Sequence, residues 1–163
     1  MDADDARSVV WTTDLRTRLD ELLDGYRESL HDSLNELTDE EARLRLVPSN
    51  TTLMGLLKHV TYVEGVWFDQ AITGRTYVEI GIADTPSRSF TLTGSDTVES
   101  VQQAHRQRCE ASRHNLAELP LDAVVHGRGD RPVWSLMVQV LRELAQHAGH
   151  ADILREQVLA RRT

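Results

Sequence analysis

Two side chains of the types that bind divalent metals lie four residues apart in the C-terminal part of the sequence. Glu143 and His147 would stack on one face of a helix, one turn from each other. Val140, Leu144 and Ala151 border that face, so part of it should point toward an interior. A carboxylate and an imidazole placed in this way can chelate one cation. The same spacing is also typical of a surface ion pair, and spacing alone leaves both interpretations open.

His59 is the second histidine whose surroundings indicate a role. It lies in the apolar stretch LMGLLKHV (residues 53–60), with Leu56, Val60 and Val63 on its own face. A buried imidazole without a polar partner is costly, so His59 must find a hydrogen-bond partner or bind something. Taken alone, a core histidine bonded to a carboxylate or a carbonyl is the commoner outcome. Two histidines and one glutamate, however, match the ligand count of catalytic zinc sites, which keep a position open for water or substrate.

The remaining histidines offer weaker candidates. His150 follows His147 by three residues, and it competes with His59 as the third ligand beside Glu143. The spacing does not decide between them. A structural role is the better prediction for His31, and the arginines around His105 and His114 disfavour metal binding there.

Four amphipathic stretches must position these residues. Apolar side chains recur at three- and four-residue steps over about residues 11–37, from a start near residues 49–52 to a stop at Gly74, over residues 98–119, and from Pro132 onward. Asp96 and Glu99 have the spacing of a capping box for the third helix. The pattern predicts an all-α fold, a four-helix bundle.

Residues 75–95 carry Pro86 and two glycines without a sustained period, so the sequence predicts a long loop between helices 2 and 3. A loop of that length can span a helix of 20 residues, which is about 30 Å long. Helices 2 and 3 are therefore expected to run parallel, joined by this crossover. Short strand pairing within residues 77–82 remains an open alternative.

Composition bounds the class of protein. A chain of 163 residues fits one domain, here residues 1–163, and its net charge of −8 argues against nucleic acid as a partner. No window approaches 18 consecutive apolar residues, so no membrane span is expected. The acidic start at Met1 and Asp2 is unlike a secretory signal. The single cysteine, Cys109, fits a reducing cytoplasm and is expected to be inert packing, although nearby arginines could instead lower its pKa.

Two segments resemble a known superfamily. LLKHVTYVEGVWF (residues 56–68) resembles the second helix of DinB-like proteins, and ELAQHAGHADILRE (residues 143–156) resembles their fourth. The helix count and order agree as well. The fourth-helix string is most similar to a branch related to the metal-binding domain of mycothiol-dependent maleylpyruvate isomerase. The isomerase carries a further C-terminal domain and the present sequence ends at Thr163, so isomerisation itself is not expected.

The resemblance implies a four-helix bundle with up-down-down-up topology that binds one divalent metal ion, usually zinc or nickel. In the similar branch a glutamate replaces the first histidine of the fourth helix, which implies the ligands His59, Glu143 and His147 and leaves His150 a supporting role. Relatives often use a low-molecular-weight thiol, such as mycothiol or bacillithiol, to attack an electrophile. The resemblance therefore implies a metal-dependent thiol S-transferase, and it suggests a homodimer.

Alternative functions fit the same residues. A metal-bound hydroxide would make the protein a hydrolase, and a closed or absent metal shell would make it a non-catalytic, structural dimeric bundle. Tyr62, Trp67 and Arg142 are candidate pocket residues in the catalytic case. In the structural case Trp11, Trp67 and Trp134, together with exposed apolar helix edges, would serve association.

Overall fold

The structure, a computed structural model, describes residues 14–162. Four long helices dominate it: α1 (Leu15–Asp32), α3 (Leu53–Gly65), α7 (Val98–Leu116) and α8 (Val133–Leu159). A π-helical turn (Val66–Gln70) and α4 (Ala71–Thr73) continue α3, and single helical turns form α2 (Asp39–Ala42), α5 (Tyr77–Ile80) and α6 (Pro86–Ser89). Strands β1 (Val124–Val125) and β2 (Arg131–Pro132) pair antiparallel ahead of α8. The expectation of an all-α fold is confirmed at this level.

Threonine side chains begin most of these helices. Thr52 accepts a hydrogen bond from the Gly55 amide at the start of α3, and Thr97 and Ser100 form the capping box of α7. The sequence-based cap at Asp96 is therefore wrong by one residue. The Asp96 carboxylate instead accepts hydrogen bonds from the Lys58 ammonium and from a loop amide, which draw it away from the helix start.

The core lies between α8 and its neighbours α1 and α3, with α7 packed on α3. The apolar stripe predicted for the last helix is buried as expected: Val133, Leu136, Met137, Val140, Leu144, Ala148, Ala151 and Leu154. In α1, Leu19 and Leu30 are buried, but Leu15 is 62% exposed and the helix ends at Asp32 instead of residue 37. The predicted stretch before residue 14 lies outside the described residues.

Polar residues occupy more of the interior than the sequence pattern suggests. Arg27 is only 5% exposed because its guanidinium makes two hydrogen bonds to the carboxylate of Glu64, which is fully buried. The inward face of α7 carries His105, Cys109 and Ser112 beside the apolar Val101 and Leu116. Pairing of opposite charges is what makes the burial of Arg27 and Glu64 tolerable.

Residues 75–95 are more ordered than the predicted loop. Gly74 ends the preceding helix with φ of 75°, as expected. The chain then makes the two helical turns α5 and α6, which begin at capping threonines Thr76 and Thr85. The alternative of strand pairing within residues 77–82 is wrong, because α5 covers Tyr77–Ile80 and the two residues after it form no strand. Helix α6 packs on α3 and contacts His59 there.

The π-helical turn is held by side chains from elsewhere. The Phe68 carbonyl accepts a hydrogen bond from the Asn115 side chain on α7, and the buried Asp69 carboxylate accepts from Arg75 and Arg108. These bonds satisfy polar groups that the irregular turn would leave without a partner.

Within residues 14–162, every helix is too short or too polar to cross a membrane.

Candidate metal centre

Three side chains from two helices converge between α3 and α8. His59, Glu143 and His147 each offer one ligand atom, and these atoms lie within 4.8 Å of one another. The rings of His59 and His147 stand nearly perpendicular, at 81°, with centroids 4.7 Å apart. Nε2 of His147 lies 3.5 Å from Oε2 of Glu143. The structure thus brings the three residues predicted as ligands to one place.

His59 is held by contacts of its Nδ1 and of one face of its ring. Nδ1 lies 2.7 Å from the hydroxyl of Ser89 in α6, and the ring of Phe90 stacks on the imidazole with centroids 4.1 Å apart. This close approach depends on Gly55, because a Cβ at that position would lie 2.9 Å from the Phe90 carbonyl oxygen. The histidine is therefore clamped by a segment that the sequence pattern assigned to a loop.

The two oxygens of Glu143 have different neighbours. Oε1 accepts hydrogen bonds from the Arg142 guanidinium at 2.8 Å and from the Gln139 amide at 3.3 Å. Oε2 is the oxygen that faces His147. A carboxylate fixed in this way presents one oxygen to the cluster, which suits a single-oxygen ligand.

His150 contacts one member of the cluster, His147. Its Nδ1 lies 3.3 Å from Nδ1 of His147, on the opposite side of that ring from Glu143. Metal-bound histidines usually bond through the second nitrogen to a carboxylate, a backbone carbonyl or water, and here the imidazole of His150 takes that place. The supporting role expected for His150 fits this position.

Both histidines of the cluster favour the neutral form. Burial, together with the charge that His147 would carry, lowers the pKa of His59 to about 4. Burial also lowers the pKa of His147, and the Glu143 carboxylate opposes that shift. At neutral pH the imidazoles are unprotonated, which is the form that binds metals.

The three predicted pocket residues, Tyr62, Trp67 and Arg142, lie in different parts of the structure. Tyr62 lines a cavity of about 290 Å³ between α3 and α7, together with Ser89. Arg142 contacts Glu143 directly. The ring of Trp67 lies under the guanidinium groups of Arg128 and Arg131, at 5.3 and 5.4 Å, so it packs in the β-hairpin region instead.

A second histidine cluster lies between α1 and α7. His105 is buried, and its Nε2 lies 3.5 Å from the sulfur of Cys109. The two line a cavity of about 470 Å³ with His31 and Arg27, which we call the α1–α7 cavity. His31 contacts Asp32 and Arg106, in keeping with the predicted structural role. Burial raises the pKa of Cys109 to about 12, so the alternative of a thiol activated by nearby arginines is wrong.

Sequence reasoning missed Ser89, Phe90 and Gln139 as neighbours of the cluster. Gln139 lies four residues before Glu143, so helical spacing could have indicated it. Thr85 followed by Pro86 is a helix-start signal that could have revealed α6. Nothing in the local sequence, however, indicates that α6 folds back onto His59.

One of three comparisons with known proteins gives a match. A family model described as MST, mycothiol-S-transferase, matches residues 18–160. Searches of curated proteins and of solved structures return no match. The match covers both helices that carry the cluster and far more than half of the chain. This family is DinB-like, in agreement with the resemblance of the two helix segments. The chain therefore belongs to the mycothiol-S-transferase family.

Proposed function

We propose that the protein is a metal-dependent thiol S-transferase, in which a mycothiol- or bacillithiol-type thiol is joined through its sulfur to an electrophilic substrate. The observation that carries the proposal is the convergence of His59, Glu143 and His147, with ligand atoms within 4.8 Å of one another. Membership of the mycothiol-S-transferase family supports the thiol chemistry.

The donor set fits a divalent cation of borderline softness. Two imidazole nitrogens and one carboxylate oxygen suit zinc or nickel and match the ligand count of sites that keep an open position. When bound, such an ion supplies Lewis acidity that lowers the pKa of a thiol at the open position. His59, Glu143 and His147 would hold it.

The surrounding residues prepare this site. The lowered pKa values keep the two imidazoles unprotonated at neutral pH. Arg142 and Gln139 hold one oxygen of Glu143, so the other stays directed at the histidines. Phe90 covers one face of His59 and excludes water there. The chain's own groups thus orient the ligands before any ion binds, which reduces the cost of assembling the site.

We propose that the bundle has the up-down-down-up topology expected from the resemblance. Ion pairs between α3 and α7 support a parallel arrangement. Lys58 pairs with Asp96 near the beginnings of the two helices, and Arg108 of α7 pairs with Asp69 just beyond α3. The predicted crossover through residues 75–95 would join two such parallel helices.

Contacts of α1 support the same topology. Arg16, near the start of α1, donates to the carbonyl of Leu116 at the end of α7, as antiparallel neighbours would. Arg155, near the end of α8, donates to the carbonyl of Ser33 just after α1, as parallel neighbours would. A single domain, a homodimer and a cytoplasmic location complete the proposal and come from the sequence and the resemblance.

Elemental analysis of the purified protein after zinc or nickel loading tests the metal site. We expect about one ion per chain, since one cluster of this kind is present among the described residues, and loss of the ion in His59→Ala and Glu143→Ala. His31→Ala is the matched control, because it removes a half-buried histidine from α1. Retention of the ion in both site variants would contradict the proposal.

Thiol consumption in the presence of an aryl or alkyl halide tests the chemistry. The loaded wild type should consume thiol faster than the metal-free protein, and His59→Ala should not. A protein that binds one ion per chain but leaves the rate unchanged would be the structural bundle. One that instead hydrolyses an ester without thiol would be the hydrolase.

A further inference from the structure

The hydroxyl of Ser89 makes two contacts that constrain each other. Its oxygen lies 2.7 Å from Nδ1 of His59, and it donates a hydrogen bond to the carbonyl of Pro86, three residues earlier in the same helical turn. A serine hydroxyl has a single hydrogen and two lone pairs. A carbonyl can only accept. The hydrogen of Ser89 is therefore committed to Pro86.

The lone pairs of Ser89 face Nδ1 of His59 as a result. A favourable contact at this distance requires the hydrogen to be on Nδ1 of His59. In a neutral imidazole only one nitrogen carries a hydrogen, so Nε2 is left with its lone pair. The histidine is buried, at 6% exposure, so water is poorly placed to supply a competing partner for Nδ1.

We propose that Ser89 is a positioning residue that fixes His59 as the Nδ1–H tautomer, so that Nε2 is the atom this histidine offers beside Glu143 and His147. The consequence for metal affinity rests on the proposed function, whereas the tautomer itself does not. Phe90 adds the second constraint, because its ring lies within 12° of parallel to the imidazole and limits its rotation.

The segment that delivers Ser89 is fixed independently of any ion. Thr85 caps α6 through the Arg88 amide, and the turn places the Pro86 carbonyl under the Ser89 hydroxyl. Gly55 lets the Phe90 carbonyl approach α3 closely. The second of the two short helices in this connection is therefore what determines which nitrogen of His59 is available.

Nitrogen-15 NMR of the histidine rings in the metal-free protein near neutral pH tests the tautomer directly. We expect His59 to show a protonated Nδ1 and an unprotonated Nε2 in the wild type, and a mixture of tautomers in Ser89→Ala. A wild-type spectrum with the hydrogen on Nε2 would overturn the proposal, whether or not the variant folds. His59→Gln assigns the resonance.

Zinc titration tests the consequence. Ser89→Ala should raise the zinc dissociation constant about 10- to 100-fold, as loss of a partner behind a ligand does. Ser33→Ala is the matched control, because that buried serine also donates to the carbonyl three residues before it, Leu30, and it should leave the constant unchanged. Equal constants for the two variants would refute the positioning role. If the wild type binds no zinc, the proposed function fails while the nitrogen spectrum still decides the tautomer.

Discussion

The bundle contains two buried histidines with different surroundings. His59 faces Glu143 and His147, which come from another helix, while His105 in the α1–α7 cavity has as its near neighbour Cys109 from its own helix. Burial lowers the pKa of both histidines. The difference lies in convergence: among the described residues, His59, Glu143 and His147 bring three ligand atoms within 4.8 Å of one another, whereas His31 of α1, which stacks on His105, turns its nitrogens to Asp32 and Arg106. Burial alone therefore does not make a binding site.

The largest effect is expected for Cys109 of the α1–α7 cavity, whose thiol should react very slowly. Its pKa of about 12 and its 4% exposure should keep it a protonated thiol. Relative to a free thiol of pKa about 8.5, alkylation by iodoacetamide at mildly alkaline pH should be slower by at least about 1,000-fold. Quenched-flow labelling followed by mass spectrometry measures the rate, and the urea-unfolded protein is the control. Labelling of the native protein at the unfolded rate would show that this cavity is reactive after all.

Exchanging one histidine from each cluster gives the next largest effect. His147→Gln should weaken zinc binding by more than about 100-fold, because it removes a ligand and not merely a partner behind one. His105→Gln keeps a side chain that can hydrogen bond and should leave the zinc affinity unchanged. Isothermal titration with zinc compares the two. Equal losses in both variants would mean that the effect comes through the fold.

Acid should destabilise the metal-free protein through both histidines. Their pKa values lie near 4 for His59 and 3 for His105, against about 6.5 in an unfolded chain. As the pH falls from about 6.5 toward 5, the unfolded state takes up protons that the folded state refuses, so the free energy of unfolding falls. Each histidine lowers the free energy of unfolding by about 1 kcal/mol for each unit by which the pH falls. This stability is present above pH 6.5, and its loss is complete only below the folded pKa.

Urea unfolding at several pH values measures that dependence. His105→Gln should flatten the slope by the contribution of one histidine, while the His59 contribution remains. A slope unchanged by the substitution would show that His105 already takes up its proton in the folded state.

Two glycine substitutions give the smallest effect and separate the clamp on His59 from ordinary helix propensity. Gly55→Ala should lower the free energy of unfolding by about 1–3 kcal/mol, because the new Cβ meets the Phe90 carbonyl at 2.9 Å. Gly25→Ala, in α1, meets no heavy atom within 4 Å outside its own stretch of helix and should instead raise the free energy of unfolding by about 0.5–1 kcal/mol. Thermal denaturation shows the sign of each change. A gain at Gly55 would mean that α6 moves aside easily.

The sequence was sufficient for the parts governed by helical periodicity. Stripes of apolar residues predict the long helices, and the spacing of Glu143 and His147 predicts a shared face. The apolar pattern also indicated His59, and the resemblance chose it over His150 as the third ligand. Contacts between distant segments were beyond reach: Arg27 looks like a surface residue until Glu64 is known to lie opposite, and Ser89 carries no local sign of its contact with His59. Such pairs depend on how helices are arranged, which no short-range pattern encodes.

The π-helical turn after α3 has a consequence for insertions and deletions. It contains one residue more than an α-helical turn would. Deleting one residue from Val66–Gln70 would therefore give an ordinary α-helical turn and leave the residues after it close to their present register, because the wider turn accommodates the extra residue. The same deletion in the regular part of α3 would instead rotate everything that follows by about 100° around the helix axis, and the hydrogen bond from the Gly127 amide to the Ala71 carbonyl would be lost. The π-helical turn is thus the place in this helix where the chain can lose one residue without displacing the β-hairpin.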